Sequence, residues 1–139
     1  MTPEQRPFRF GLMIDTRQTS RQALLTLAQD AAASGISILL GTDHLGRWAS
    51  LPLLQAAAAA TDLRIGTFVL NNDLRNPVVL AQELATIDLV TDGRLEIGLG
   101  AGWARPEYAA SNCRSSSASA IRRDAGPGGR GERETTAPF

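Results

Sequence analysis

Apolar residues along this chain gather in short runs, separated by longer stretches in which they recur at helical spacing. Phe8 to Ile14 is the first run, apolar-rich around Gly11, and reads as a buried strand rather than a helix. Thr19 and Ser20 then offer an N-cap, Ala23, Leu24, Leu27, Ala28 and Ala31 fall on one helical face, and Gly35 supplies a stop. Ile36 to Gly41, interrupted by one serine, has the length and flanks of a strand covered on both sides. Ser50 or Leu51 before Pro52 marks a second helix start, continued by Leu53, Leu54 and the alanines to Ala60. Ile65 to Leu70 is a third strand-like run. Asn76-Pro77 opens a helix that reaches about Val90 and closes at Asp92-Gly93, and Leu95 to Gly100 makes a fourth strand.

Four strands alternating with three helices through short loops predict parallel strand–helix–strand units of the α/β class, in the order β-α-β-α-β-α-β. Periodicity alone leaves a doubly wound sheet and a barrel both open. The dinucleotide fingerprint needs glycines after the first strand, and the chain instead has Asp15-Thr16-Arg17-Gln18 there, which argues against a Rossmann domain. Gly98-Leu99-Gly100-Ala101-Gly102 supplies closely spaced glycines only after the fourth strand, as a candidate phosphate cradle.

Length changes the picture, because 139 residues make one domain or part of one, short of the roughly 250 residues of a complete eight-unit barrel. Fourteen basic residues balance fourteen acidic ones, and no basic patch precedes the C-terminal tail, so a nucleic-acid partner is not expected. A single cysteine, Cys113, and a single histidine, His44, exclude an internal disulfide and leave no structural zinc site. Residues 1–7 lack the pattern of a secretory signal and read as a flexible N-terminus. No apolar run approaches the roughly 20 residues that span a bilayer, so a soluble, cytoplasmic chain with no membrane partner is expected.

The densest candidate chemistry is Thr42-Asp43-His44-Leu45-Gly46-Arg47-Trp48, which sets a carboxylate, an imidazole and an indole at the end of the second strand. Histidine ordinarily changes charge near neutral pH, and an adjacent carboxylate can hold its tautomer or stabilise the imidazolium. Structural roles stand beside these. Asp43 is equally suited to capping its own loop, Trp48 and Trp103 to packing a rim, and Arg75 to a salt bridge.

Thr42-Asp43-His44-Leu45-Gly46, Gly66-Thr67-Phe68-Val69-Leu70-Asn71-Asn72-Asp73-Leu74-Arg75-Asn76-Pro77 and Asp92-Gly93-Arg94-Leu95-Glu96-Ile97-Gly98-Leu99-Gly100-Ala101-Gly102-Trp103 together resemble luciferase-like monooxygenases, and most of all their coenzyme F420-dependent branch. The resemblance runs from about Phe8 to Ala110. It implies a TIM barrel, of which residues 8–110 are the N-terminal half, with F420 or alternatively FMN at the C-terminal strand ends. It implies a flavin- or F420-dependent oxidoreductase that moves hydride between the cofactor and a small organic substrate, and a homodimer, since relatives commonly dimerise. Asp43, His44 and Trp48 match the spacing of residues beside the reactive ring and are the implied catalytic group. Phe68, Val69, Leu70 and Asn71 match the stretch beneath the ring, with Phe68-Val69 the place for a non-prolyl cis peptide. Gly100, Ala101 and Gly102 match the backbone that approaches the cofactor, and Trp103 and Glu107 complete the pattern.

The resemblance stops where the composition changes. Residues 111–139 are rich in Arg, Gly, Ser and Pro, with Ile121 and Phe139 the only large apolar side chains, so this tail is expected to be disordered. Every basic residue of the chain is arginine, which fits GC-rich coding DNA, and such DNA read out of frame yields this tail composition. A frameshift is the preferred reading and a natural basic arm the other. The first predicts that the DNA after codon 111 encodes further strand–helix units in another frame. On either reading the competing function is a non-catalytic fragment, or a half-barrel that acts only by association.

Overall fold

The computed structural model describes residues 8–17 and 20–111, so the expectations for residues 1–7, Thr19 and the tail from Asn112 lie outside the described residues. The elements are β1 (Gly11–Ile14), α1 (Arg21–Ala33), β2 (Ile38–Gly41), α2 (Ser50–Ala60), β3 (Arg64–Thr67), β4 (Leu70–Asn71), a single 3-10 turn (Asn72–Leu74), α3 (Pro77–Val90), β5 (Leu95–Glu96), β6 (Leu99–Gly100) and α4 (Arg105–Ser111). No described helix is long and apolar enough to cross a membrane.

Strands β1, β2, β3 and β5 form one parallel sheet in that order, and β4 pairs with β6, also in parallel, as a separate ribbon. Sheet neighbours follow chain order without the reversal of a doubly wound fold. Under the right-handed crossover rule this puts the connecting helices on one face. That face is the core, where Ile14, Leu39 and Ile65 from the strands meet Leu24, Ala28, Leu54, Ala57, Leu80, Leu84 and Ile87 from the helices. Each such leucine or isoleucine contributes about 2 kcal/mol by leaving water. Met13, which alternates with Ile14, is more than half exposed on the opposite face. The architecture is the α/β beginning of a TIM barrel.

Local sequence explains the helix ends. Ser20 caps α1 by accepting from the Ala23 amide, and Asn76 caps α3 by accepting from Val78 and Val79 ahead of Pro77. Each cap contributes about 1 kcal/mol. Gly35 follows α1 at φ +80°, a conformation that favours glycine. For α2 the expected start shifts slightly. Ala49 is the N-cap with no side-chain bond, and Pro52 falls at the third helical position, where its missing donor is still one that would lack a partner. The buried stripe of α1 is narrower than its pattern implied, with Ala23 and Leu27 exposed.

The third and fourth predicted strands are each divided. Between β3 and β4 lies a cis Phe68–Val69 peptide, at the position the resemblance indicated. Between β5 and β6 the Gly98 amide donates to Thr67 Oγ1, and the same hydroxyl donates to the Gly98 carbonyl, both at 2.9 Å. A side chain thus replaces a rung of the backbone ladder. A Cβ on Gly98 would strike the Thr67 carbonyl oxygen, so this junction requires glycine. The first two strands are also shorter at their N-terminal ends than expected, and Phe8 and Phe10 are exposed.

Arg94 ties the helices to the sheet. Its guanidinium donates to the carbonyls of Ala58, Thr61, Leu63 and Thr91, which satisfies acceptors at the C-terminal ends of α2 and α3. On the open face Glu96 accepts from Arg9 at 2.5 Å and from Arg64 at 2.6 Å. Burial alone would raise the Glu96 carboxyl, but the hydrogen bonds from Arg64 and Arg9 outweigh it and hold it below the ordinary glutamate range.

Two outcomes follow for stability. Arg94→Ala leaves several carbonyls without donors and lowers the unfolding free energy by about 2 to 4 kcal/mol, read from the urea midpoint. Because the Glu96 carboxyl is depressed on folding, its contribution is full above the ordinary value of 4.5 and is lost as pH falls through the lower folded value. Glu96→Gln therefore flattens the acid limb of a stability-against-pH curve.

Candidate functional site

The C-terminal ends of the strands are level, since Ile14 pairs with Gly41 and Gly41 with Thr67. The residues that leave each strand, Asp15, Thr42-Asp43-His44 and Phe68-Val69, therefore emerge along one rim. Those after the second and third strands border a cleft of about 120 Å³, lined by Thr42, Asp43, His44, Phe68, Val69, Asn71, Gly102, Trp103, Ala104 and Glu107. A larger groove of about 430 Å³ lies between α2 and α3 and holds neither the histidine nor an aromatic wall, so the smaller cleft is the candidate site.

His44 does not take Asp43 as its partner. Its Nδ1 lies 2.7 Å from Glu107 Oε1, and both side chains are largely shielded, at 21% and 14% exposure. An ionised carboxylate can only accept, so Nδ1 carries the proton of this bond and Nε2 is left for a substrate. Trp103 meets the imidazole edge to face, with centroids 6.0 Å apart and planes at 80°. It is 80% exposed rather than packed into a rim, and its indole forms one wall of the opening.

Asp43 is occupied elsewhere. Its Oδ1 accepts from Arg75 Nη2 at 2.8 Å, and its Oδ2 accepts from Arg75 Nε at 3.3 Å and from the Asn71 amide at 3.1 Å. The other rim carboxylate, Asp15, is bonded to the Arg17 side chain and backbone, and these hydrogen bonds hold it at about 2, so it stays ionised near neutral pH. Glu107 is thus the carboxylate that serves the histidine.

Several other expected site residues stand differently. Trp48 does not line the cleft; its amide reaches the Thr16 carbonyl and its ring is half exposed, because the turn at Gly46 carries it away from His44. Leu70 is fully buried, its side chain in the core, while Phe68 and Val69 are exposed at the cleft and Asn71 lines it. Gly100 and Ala101 border a separate shallow depression with Asn72 and Asp73, where a carboxylate is unsuited to a phosphate. Two of these glycines also lie in close contact with neighbouring side chains. A Cβ on Gly100 would meet Val69, and one on Gly102, at φ +68°, would meet Asn71 and Tyr108.

Tyr108 was not singled out from the sequence. It is buried, and its hydroxyl contacts the Ala101 carbonyl, Asn71 Oδ1 and Asp73 Oδ2, which seats α4 against the β4–β6 ribbon and so places Glu107. Nothing in the spacing signals this contact, since Tyr108 lies 37 residues from Asn71. Because His44 is the only histidine, its ring nitrogens give unambiguous NMR signals. Glu107→Gln is expected to shift the Nδ1 resonance and mix the tautomers, whereas Asp43→Asn leaves the ring signals in place.

Known proteins resemble the chain over most of its length. The family model for luciferase-like monooxygenase matches residues 6–119. An F420-dependent glucose-6-phosphate dehydrogenase of Nakamurella multipartita is 37% identical over 112 residues, 73% of this chain and 32% of that protein. A 5,10-methylenetetrahydromethanopterin reductase of Methanopyrus kandleri is 29% identical over 96 residues, 68% of this chain and 27% of that one. Among solved structures, the coenzyme F420-dependent tetrahydromethanopterin reductase of Methanopyrus kandleri superposes with a TM-score of 0.67 at 24% identity, covering 75% of this chain and 30% of that one. The FMN complex of the oxygenating constituent of 3,6-diketocamphane monooxygenase from Pseudomonas putida gives 0.65 at 19%, covering 79% and 34%, and both structures share the fold alone. The chain spans about a third of the length of its sequence relatives. With the parallel sheet, the level strand ends and a family match over most of its length, the chain belongs to the luciferase-like monooxygenase family.

Proposed function

We propose that this chain forms the acid–base and ring-supporting half of an F420-dependent oxidoreductase that acts on a small organic substrate, with FMN as the alternative cofactor. The observation that carries the reading is the His44–Glu107 pair, opening on the same cleft as the exposed Phe68–Val69 edge. The residues present suit a flat, conjugated ring. Phe68 and Val69 offer an apolar ledge, Trp103 an aromatic wall, and the Asn71 side chain a polar group at one side. The names of the sequence relatives favour F420 over FMN.

When bound, such a cofactor supplies hydride chemistry. The chain's own residues do the rest. The ledge and the indole orient reactants and exclude water, and His44 takes up or releases a proton at Nε2. Glu107 holds the neutral tautomer and stabilises the imidazolium once it forms. In this reading Glu107 takes the place expected of Asp43 beside the imidazole, and Trp103 the place expected of Trp48 as aromatic wall.

A second reading, a half-barrel that acts by association, is favoured by the outer edges of β1 and β5, which have no strand partner among the described residues, and by Met13 on the face away from the helices. Titration of the purified chain with oxidised and reduced F420, and in parallel with FMN, separates the two. Saturable binding in the monomer, with turnover lost in His44→Ala, supports the enzyme reading. Binding that appears only in an oligomer supports association, and no binding in any state overturns the first reading.

A further inference from the structure

We infer that Asp43 and Arg75 are positioning residues, a two-pronged clamp that holds the Phe68–Asn71 segment as a fixed ledge on one side of the cleft. This segment is tied at one end to the last residue of β2 and at the other to a residue just after it. The Phe68 amide donates to the Gly41 carbonyl at 2.8 Å, and the Asn71 amide donates to Asp43 Oδ2 at 3.1 Å. Along this segment Phe68 and Val69 border the cleft at 61% and 41% exposure, with Val69 lying over Gly98 and Gly100. Leu70 is held in the core and its amide donates to the Gly98 carbonyl at 2.9 Å, so the Asp43 carboxylate is the side-chain anchor at the Asn71 end of a segment whose middle is already seated.

Arg75 keeps it there. The Asp43 side chain is only 9% exposed, and the Arg75 fork meets both of its oxygens. A shielded carboxylate needs such a partner, because its desolvation is offset only by well-aligned donors. Arg75 itself follows the 3-10 turn, and its amide donates to the Asn72 carbonyl, which ties the cation to the segment it stabilises. The loop closes on itself: Asp43 holds Asn71, Asn71 begins the turn, and the turn delivers Arg75 to Asp43. Arg75 is thereby committed to a carboxylate and not to a cofactor phosphate, and the aspartate beside the histidine serves the ledge while Glu107 serves the imidazole. The clamp is independent of any ligand, but its catalytic meaning rests on the oxidoreductase reading above.

The test uses the full chain, isotope-labelled, as wild type, Asp43→Asn, Arg75→Gln, Arg75→Lys, the Asp43→Asn/Arg75→Gln double variant and Glu107→Gln. Hydrogen exchange at the Asn71 amide is expected to speed up about tenfold in Asp43→Asn and in Arg75→Gln, with no further gain in the double variant, because one opening event is being released. The Val69 methyl signals move with it. Arg75→Lys recovers part of the protection, since an ammonium keeps the charge but not the fork. The His44 ring nitrogens stay put in these variants and move in Glu107→Gln, which leaves Asn71 protected. Asp43→Asn shifting the His44 nitrogens as Glu107→Gln does, or leaving Asn71 exchange unchanged, overturns the clamp.

A measurement on the unaltered chain covers the case in which a variant fails to fold. On acidification the Asn71 amide and the Asp43 carboxyl carbon signals move together, and separate movement overturns the proposal. F420 titration then distinguishes the clamp from the function it serves. Binding about tenfold weaker in Asp43→Asn, with unchanged His44 signals, supports positioning. A wild-type chain that binds no cofactor overturns the oxidoreductase reading and the positioning role, while the exchange data decide the clamp.

Discussion

The arrangement of this molecule depends on the register of its parallel strands. Hydrogen bonding sets Ile14, Gly41 and Thr67 side by side, and side chains facing the helices lock that register, because a one-residue slip would turn Leu39 or Ile65 out of the core. Everything polar at the rim inherits this alignment. Asp43 reaches Asn71 and His44 reaches Glu107 only because the strands that carry or precede them end at the same level.

A division of labour among three rim carboxylates follows from what each one meets. Asp15 is exposed and bonded to its neighbour Arg17, so it stays ionised and does local work. Asp43 is shielded and filled by Arg75 and a backbone amide, which makes it structural. Glu107 is shielded and meets the imidazole, which makes it the partner of the histidine. Chemically identical groups thus separate by burial and donor supply.

The two halves of the sheet's surroundings are unequal. Helices α1 to α3 bury one face and Arg94 closes the C-terminal ends of α2 and α3, whereas the opposite face carries an exposed Met13 and the Arg9–Glu96–Arg64 cluster. Parallel sheets are ordinarily covered on both sides. The clamp, the Thr67–Gly98 exchange and the Tyr108 contacts all sit at the strand ends, so the cleft is built from bonds internal to the described residues.

The sequence by itself determined the elements, because apolar period, caps and punctuation are local. Ser20, Asn76-Pro77 and Gly35 mark real helix ends, and the alternation of strands and helices is as the pattern implies. It also determined the neighbourhood of the site, since motifs shared with a family gather at the strand ends, and the cis Phe68–Val69 peptide lies where that likeness placed it. Local pattern could not decide pairing. Whether His44 turns to its neighbour Asp43 or to Glu107, 63 residues away, whether Trp48 or Trp103 walls the cleft, and whether glycine makes room for a ligand or for Val69 and Asn71 are questions of where distant segments come to lie. Tertiary structure decided these, because hydrogen bonds and steric exclusion act over a few ångströms of space and have no regard for distance along the chain.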